Sequence, residues 1–150
     1  MSSTWRRIYL HLVWGTKSRW PVLDAERERI AAPIFAHRIA NLQSELLALG
    51  AADDHVHALV SIHPTMDVVR LVRSIKGATS QQIQRHACCE PPFRWQRGYA
   101  VLSVEPSDAR ELHEYILRQR EHHVHQTTRA EWEPPLDLLD TEGLDEDVGM

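Results

Sequence analysis

In residues 7–17 the apolar side chains alternate. Ile8, Leu10, Leu12 and Trp14 fall on one face and Tyr9, His11 and Val13 on the other, in a stretch rich in β-branched and aromatic residues. This pattern predicts a strand. After Pro21 the period lengthens: Asp24 stands where it caps a helix through Glu26, Arg27, Ile30, Ile34 and Ile39, and Pro33 is expected to kink or divide that helix. Residues 44–51 are short and apolar, Asp53-Asp54 turns the chain, and residues 55–62 (HVHALVSI) run on to Pro64, which predicts a two-stranded hairpin. From Asp67 onward Val68, Val69, Leu71, Val72, Ile75 and Ile83 keep helical spacing. Arg70, Arg73 and Lys76 step by three around the opposite side as a basic ridge. Pro91-Pro92 marks a loop and residues 99–105 a fourth strand. Pro106-Ser107-Asp108, with Glu111 three residues after Asp108, opens a helix expected to run to about His123.

The order strand, helix, strand, strand, helix, strand, helix is that of the split βαβ, ferredoxin-like arrangement with one extra C-terminal helix. The expected fold class is therefore α+β: a mostly antiparallel four-stranded sheet, helices on one face, and the additional helix carrying Tyr115. A chain of 150 residues with 43% apolar content buries a self-sufficient core as one domain. No run of eighteen apolar residues and no signal-peptide core is present, so the expectation is a cytoplasmic protein with no membrane partner. Cys88 and Cys89 are adjacent, which suits neither an ordinary disulfide nor a CxxC site.

Charge changes this picture in one respect. The net charge is -4, but residues 131–150 carry eight acidic side chains and no Lys or Arg. Setting those eight apart from the 21 acidic residues leaves 13 against 17 basic ones. Residues 1–130 are read as a mildly basic domain, compatible with a phosphate-bearing partner, and residues 131–150 as a loosely ordered acidic tail pointing away from it.

Chemistry concentrates in two places. His55 and His57 sit two apart on a strand, so both imidazoles project from one face at a spacing that suits two ligands of one metal. Taken alone, such a pair reads more readily as packed histidines; with ten histidines in the chain, a second pair, His123 and His125, has the same spacing. Tyr115 and Gln119 stand four apart on the last helix, beside the apolar stripe of Leu112 and Ile116, where packing and solvation are the plain readings. Together the four residues suggest more. Two imidazoles and an amide oxygen form a three-ligand site with open positions, where a divalent cation can hold a phosphate oxygen while a phenol one turn away attacks phosphorus. Such an attack stores the phosphodiester bond in a covalent protein link, so a strand can be rejoined without ATP.

The segments Asp54-His55-Val56-His57, Ser74-Ile75-Lys76-Gly77-Ala78-Thr79-Ser80, Trp95-Gln96-Arg97-Gly98-Tyr99 and residues 115–123 (YILRQREHH), with residues 12–19 (LVWGTKSR) before them, resemble in order the motifs of the single-tyrosine HUH transposases of bacterial insertion sequences. The resemblance spans about residues 7–125. It implies a homodimeric endonuclease that nicks and rejoins single-stranded DNA at hairpin-flanked element ends, using Mg²⁺ or Mn²⁺ and a transient 5′-phosphotyrosine. By position, Tyr115 is then the nucleophile and His55, His57 and Gln119 the metal ligands, and the tyrosine helix of one subunit can complete its partner's site. DNA contacts are expected at Lys17, Arg19, Arg70, Arg73, Lys76, Arg94 and Arg97, with solvated surface charge as the alternative for each. Trp95 and Tyr99 are open to base stacking or to packing. The competing function is a catalytically silent or domesticated hairpin-binding regulator of DNA or RNA. A histidine-triad hydrolase is disfavoured because Leu59 stands where a third alternating histidine is needed.

Overall fold

A computed structural model describes residues 5–140. Four strands, β1 (Tyr9–Gly15), β2 (Glu45–Ala52), β3 (His55–Ser61) and β4 (Ala100–Val104), form one sheet in the order β2-β3-β1-β4. Each neighbouring pair is antiparallel. The alternation along β1 and β3 divides the sheet's two faces. Leu12, Trp14, Val56, Ala58 and Val60 face one side, where α1 (Ala25–Asn41) supplies Phe35 and Ile39 and α2 (Val68–His86) supplies Leu71, Val72, Ile75 and Ile83. Leu59 and Ala48 face the other side and pack on Leu112, Tyr115 and Ile116 of α3 (Ala109–Leu117), which is followed by α4 (Gln119–Val124). The result is the expected α+β class, with the extra C-terminal helical segment on the face opposite α1 and α2.

Local chemistry sets the starts of the two long helices. Asp24 accepts from the backbone N–H of Arg27 at 3.0 Å, so that cap stands where the sequence puts it, and Asp67, from which the helical spacing of α2 starts, likewise accepts from Arg70 N–H at 3.1 Å. Three expectations change. Pro33 does not divide α1, which runs unbroken over 17 residues: Pro33 and Arg29 are both exposed, on a side of the helix where solvent can serve the carbonyl that Pro33 cannot bond. The last helix, by contrast, does not run continuously to His123. It breaks at Arg118 (φ −112°, ψ 28°), whose N–H turns back to the carbonyls of Tyr115 and Ile116. Nor does Asp108 cap α3 through its side chain, and Glu111 pairs instead with Arg129. The break at Arg118 has a tertiary cause. The Arg120 guanidinium reaches Asp53 at 2.6 Å and the Leu23 carbonyl at 2.8 Å, drawing α4 toward the β2–β3 turn.

The stretch read as a loose tail includes ordered contacts. Leu136 is buried, Trp132 packs against the Tyr115 ring with centroids 4.9 Å apart, and Arg129 bonds both Glu111 of α3 and Glu131. Apolar anchors and a short arginine bridge suffice to hold residues 129–136 on the body. Glu142, Asp145, Glu146 and Asp147 lie outside the described residues. Among the described residues no helix is long and apolar enough to cross a membrane.

Candidate functional site

Side-chain parity on β3 puts His55 and His57 on the face covered by α3 and α4, and each ring is held from behind. Nδ1 of His55 lies 2.7 Å from Asp54 Oδ1, and Asp54 in turn pairs with Arg19 at 3.2 Å. Nδ1 of His57 lies 2.8 Å from Nε2 of His11, whose ring stacks on it. Fixing Nδ1 in this way aims both Nε2 atoms outward, as in histidines that bind metals. The two Nε2 atoms converge on one atom, Glu133 Oε1, at 3.2 and 3.1 Å. The second carboxylate oxygen of Glu133 accepts from the Tyr115 hydroxyl, which itself accepts from the backbone N–H of Arg129 at 3.1 Å. Gln119, fully buried, joins through His123: Nε2 of His123 stands 3.2 Å from Gln119 Oε1 and 3.6 Å from Glu133 Oε1.

All four residues singled out from the sequence therefore meet within one chain. Tyr115 and Gln119 do so from two short helices rather than as neighbours on one. Three further residues were not singled out. His11 was legible as a member of the same strand face as Tyr9 and Val13, but nothing local tied it to His57. His123 and Glu133 come from segments whose approach to the sheet depends on the break at Arg118 and on the anchors around Arg129.

The electrostatics follow from burial and from this crowding. Burial, reinforced by neighbouring imidazoles, lowers the pKa of His57 to about 4 and that of His11 to about 3. At His55, burial opposes charging, but the carboxylates of Asp54 and Glu133 outweigh it and raise the pKa. Glu133 is held well below the usual carboxylate range: burial works against ionisation, and the close approach of His55, His57 and Tyr115 overcomes it. Tyr115 is pushed up to about 12 by burial and by its bond to Glu133.

A pH dependence of stability results. A histidine with a depressed folded pKa leaves the unfolded chain binding the extra proton, so stability is lost as pH falls below 6.5 toward the folded values of His57 and His11. Depressed Glu133 and Asp54 act in the same direction at lower pH, and raised His55 opposes them. Urea titrations of the metal-free protein at pH 7 and pH 5 are expected to show a loss of about 2–4 kcal/mol at the lower pH. Equal stability at the two pH values would contradict the buried, neutral His11–His57 pair.

The donor set fits a divalent cation. His55, His57 and Glu133 each offer a ligand atom, all within 4.8 Å of one another, and Nε2 of His55, a buried nitrogen, makes no well-aligned hydrogen bond among the described residues although Glu133 Oε1 lies 3.2 Å away. Gln119 Nε2 is likewise buried and unbonded, so the amide has capacity beyond its contact with His123.

The family described as "Transposase IS200 like" matches residues 4–119. The chain belongs to that family. The ISDra2 transposase TnpA of Deinococcus radiodurans is 26% identical over 119 residues, 74% of this chain and 83% of that protein. The transposase for insertion sequence element IS200 of Salmonella typhimurium is 27% identical over 116 residues, 74% of this chain and 76% of that one. A solved putative transposase from Deinococcus radiodurans superposes with a TM-score of 0.62 at 26% identity, covering 80% of this chain and 96% of the other. A REP-associated tyrosine transposase bound to a REP hairpin shares the fold, with a TM-score of 0.61 at 16% identity over 82% and 74% of the two chains. The family match ends at Gln119, so in this transposase His123, Trp132 and Glu133 come from beyond the matched residues.

The expected DNA contacts divide into groups. Lys17, Arg19, Arg94 and Arg97 line a cavity of about 750 Å³. Arg73 joins Arg94 and Arg97 around an adjoining one of about 510 Å³. Arg19 links the first cavity to the histidines through Asp54, and its other ion pair is with Asp137 at 3.3 Å. Arg70 stands apart, at the start of α2 beside Asn41 and Thr65. Lys76 lines that second cavity too and also serves the fold: its ammonium donates to the carbonyls of Gln96, Arg97 and Gly98 at 2.8, 3.0 and 2.8 Å and lies over the Trp14 and Tyr99 rings, so it pins the loop before β4. Lys76→Met is expected to cost about 2–3 kcal/mol, a melting-point fall of about 5–10 °C by calorimetry; an unchanged melting point would return Lys76 to the surface. Trp95 is packing as well: its indole is buried against Phe93 and donates to Thr79 Oγ1 at 2.8 Å.

Proposed function

We propose that this transposase is a metal-dependent single-stranded DNA endonuclease that nicks and rejoins element ends through a 5′-phosphotyrosine link at Tyr115. The observation that supports this reading most is the convergence, inside one chain, of a phenol, two outward-aimed imidazoles and a buried glutamine amide. In the proposed site His55, His57 and Gln119 hold Mg²⁺ or Mn²⁺. The cation supplies positive charge that polarises a phosphate oxygen and offsets the charge developing at the phenol. That help matters, because a phenol pushed up to about 12 carries almost no phenolate at neutral pH.

The step balances without a further reactant. The Tyr115 oxygen bonds to phosphorus, the P–O3′ bond breaks, and the proton lost by the phenol equals the one gained by the departing 3′-oxygen. Reversal by another 3′-hydroxyl rejoins a strand. Asp54 and His11 orient the two imidazoles, and Lys17, Arg19, Arg73, Arg94 and Arg97 form the basic border along which the strand approaches. A partner with hairpin ends is consistent with the hairpin-bound relative, and a second copy of the chain would hold the second end. With its own Tyr115 beside its own histidines, each subunit has the parts of one site.

The test uses single-stranded oligonucleotides copied from both flanks of the gene, incubated with Mg²⁺ or Mn²⁺ and resolved on a denaturing gel. A protein–DNA adduct that forms with metal, disappears with chelator and is lost in His57→Ala is the expected result. Tight hairpin binding with no adduct under either metal would replace the nuclease by a hairpin-binding regulator.

A further inference from the structure

A closed reaction centre poses a difficulty for the proposed chemistry. His55 and His57 are 2% and 0% exposed, and Tyr115 is 4% exposed. A phosphodiester has no room between them while Glu133 is in place. The Glu133 carboxylate bridges the two halves of the site: one oxygen lies against both imidazole Nε2 atoms and the other on the Tyr115 hydroxyl. A strand cleaved by Tyr115 has to present a phosphate in the same way, with one oxygen toward the cation and the phosphorus toward the phenol. Carboxylate and phosphodiester share charge sign and oxygen donors, and both suit a hard divalent ion.

Resting on the reading above, we propose that Glu133 is a ligand of the divalent cation in the DNA-free protein, and that a phosphodiester of the incoming strand takes its place at the cation and at Tyr115. The geometry supports ligation directly. The Glu133 oxygen stands 3.1–3.2 Å from the two Nε2 atoms, close to the ~3 Å that separates adjacent ligand atoms around one ion with bonds of about 2.1 Å. Displacement is supported by how the carboxylate is carried. Residues 129–133 lie on no sheet strand or long helix; they are held by the arginine bridge from Arg129 to Glu111 and Glu131 and by Trp132 against Tyr115. The bridging side chains are about half-exposed, so the segment is fastened by contacts of modest strength. Glu133 also lies beyond the residues that the family match covers.

Two measurements on the full-length chain test this, with the melting temperature of each variant confirming that it folds. Mn²⁺ is first titrated calorimetrically into the metal-stripped, DNA-free protein. Glu133→Gln, which keeps shape and removes charge, is expected to weaken Mn²⁺ at least about tenfold, and Glu133→Asp to restore part of the loss. Unchanged affinity in Glu133→Gln, with binding abolished in His57→Ala, overturns this inference and leaves the metal site standing. No Mn²⁺ binding by the unsubstituted chain overturns the nuclease reading itself. The second measurement is fluorescence anisotropy of the flank oligonucleotides with Mn²⁺ in a Tyr115→Phe background, where no cleavage intervenes. Adding Glu133→Gln is expected to tighten DNA binding about tenfold, because no carboxylate competes for the ion. Equal or weaker DNA binding would mean that Glu133 stays on the metal or never meets it, and would overturn the exchange.

Discussion

Tyr115→Phe is expected to abolish the covalent protein–DNA adduct, a loss of at least about 1000-fold, while single-strand affinity stays within about threefold. The separation of the two effects follows from where the groups lie. The hydroxyl is the only atom removed, and the Phe ring still fills the space between Trp132 and His122, whose rings stand 4.9 and 4.5 Å from that of Tyr115. The basic border at Lys17, Arg94 and Arg97 is contributed by a different part of the chain. Losing the hydroxyl removes bonds to Glu133 and to the Arg129 N–H, a cost of about 1–2 kcal/mol that a melting curve registers without unfolding the protein. Denaturing gels with and without Mn²⁺ check the adduct, and anisotropy checks the affinity. An adduct formed by the Phe variant would assign the nucleophile to another residue.

Gly50→Ala is expected to be the most damaging single methyl addition at the site. Gly50 pairs with His57 across the β2–β3 ladder, and a Cβ built there would overlap the backbone carbonyl of Ile116 and approach the Gln119 side chain at 3.3 Å. The clash is with backbone, so no rotamer change relieves it, and α3 has to lift from the sheet. Overpacking of this kind costs about 3 kcal/mol or more, which in a chain of this size lowers the melting temperature by about 6–12 °C. The proposed metal site suffers along with the fold, because Tyr115 and Gln119 lie on either side of Ile116 and move with it. Calorimetry of Gly50→Ala beside Gly77→Ala makes the comparison: a Cβ at Gly77 meets nothing within 4 Å, and that variant is expected to match or exceed the parent in stability. Equal melting points for the two variants would show that α3 does not pack as closely as described.

The two predictions reflect different depths of legibility. Strand positions were readable because the pleat alternates side chains whatever lies around it. The same parity placed His55 and His57 together before any contact was known. The start of α1 was readable because Asp24 bonds to an amide three residues away, within a single turn, and that of α2 because its apolar residues take up helical spacing directly after Asp67. The family motifs named Tyr115 and Gln119, and nothing beyond residue 125 entered that resemblance.

Other features were decided by surfaces that meet only after folding. Pro33 is tolerated because its side of α1 faces solvent, which its neighbours in sequence do not reveal. The break at Arg118 contains neither Gly nor Pro; it forms because Arg120 finds Asp53 and Leu23, two partners on the far side of the chain's turns. The amphipathic period placed Lys76 on the basic ridge of α2, but its bonds to three carbonyls of residues 96–98 were not legible there. Glu133 shows the division most clearly. In sequence it is one acid in an acidic stretch; in the structure Leu136, Trp132 and Arg129 bring it onto the two imidazoles and the tyrosine. Periodicity, caps and strand parity are properties of a few consecutive residues and survive in the linear chain. The pairing of a carboxylate with groups 18 to 78 positions away depends on which faces the packed elements present to one another, and that only the tertiary structure decides.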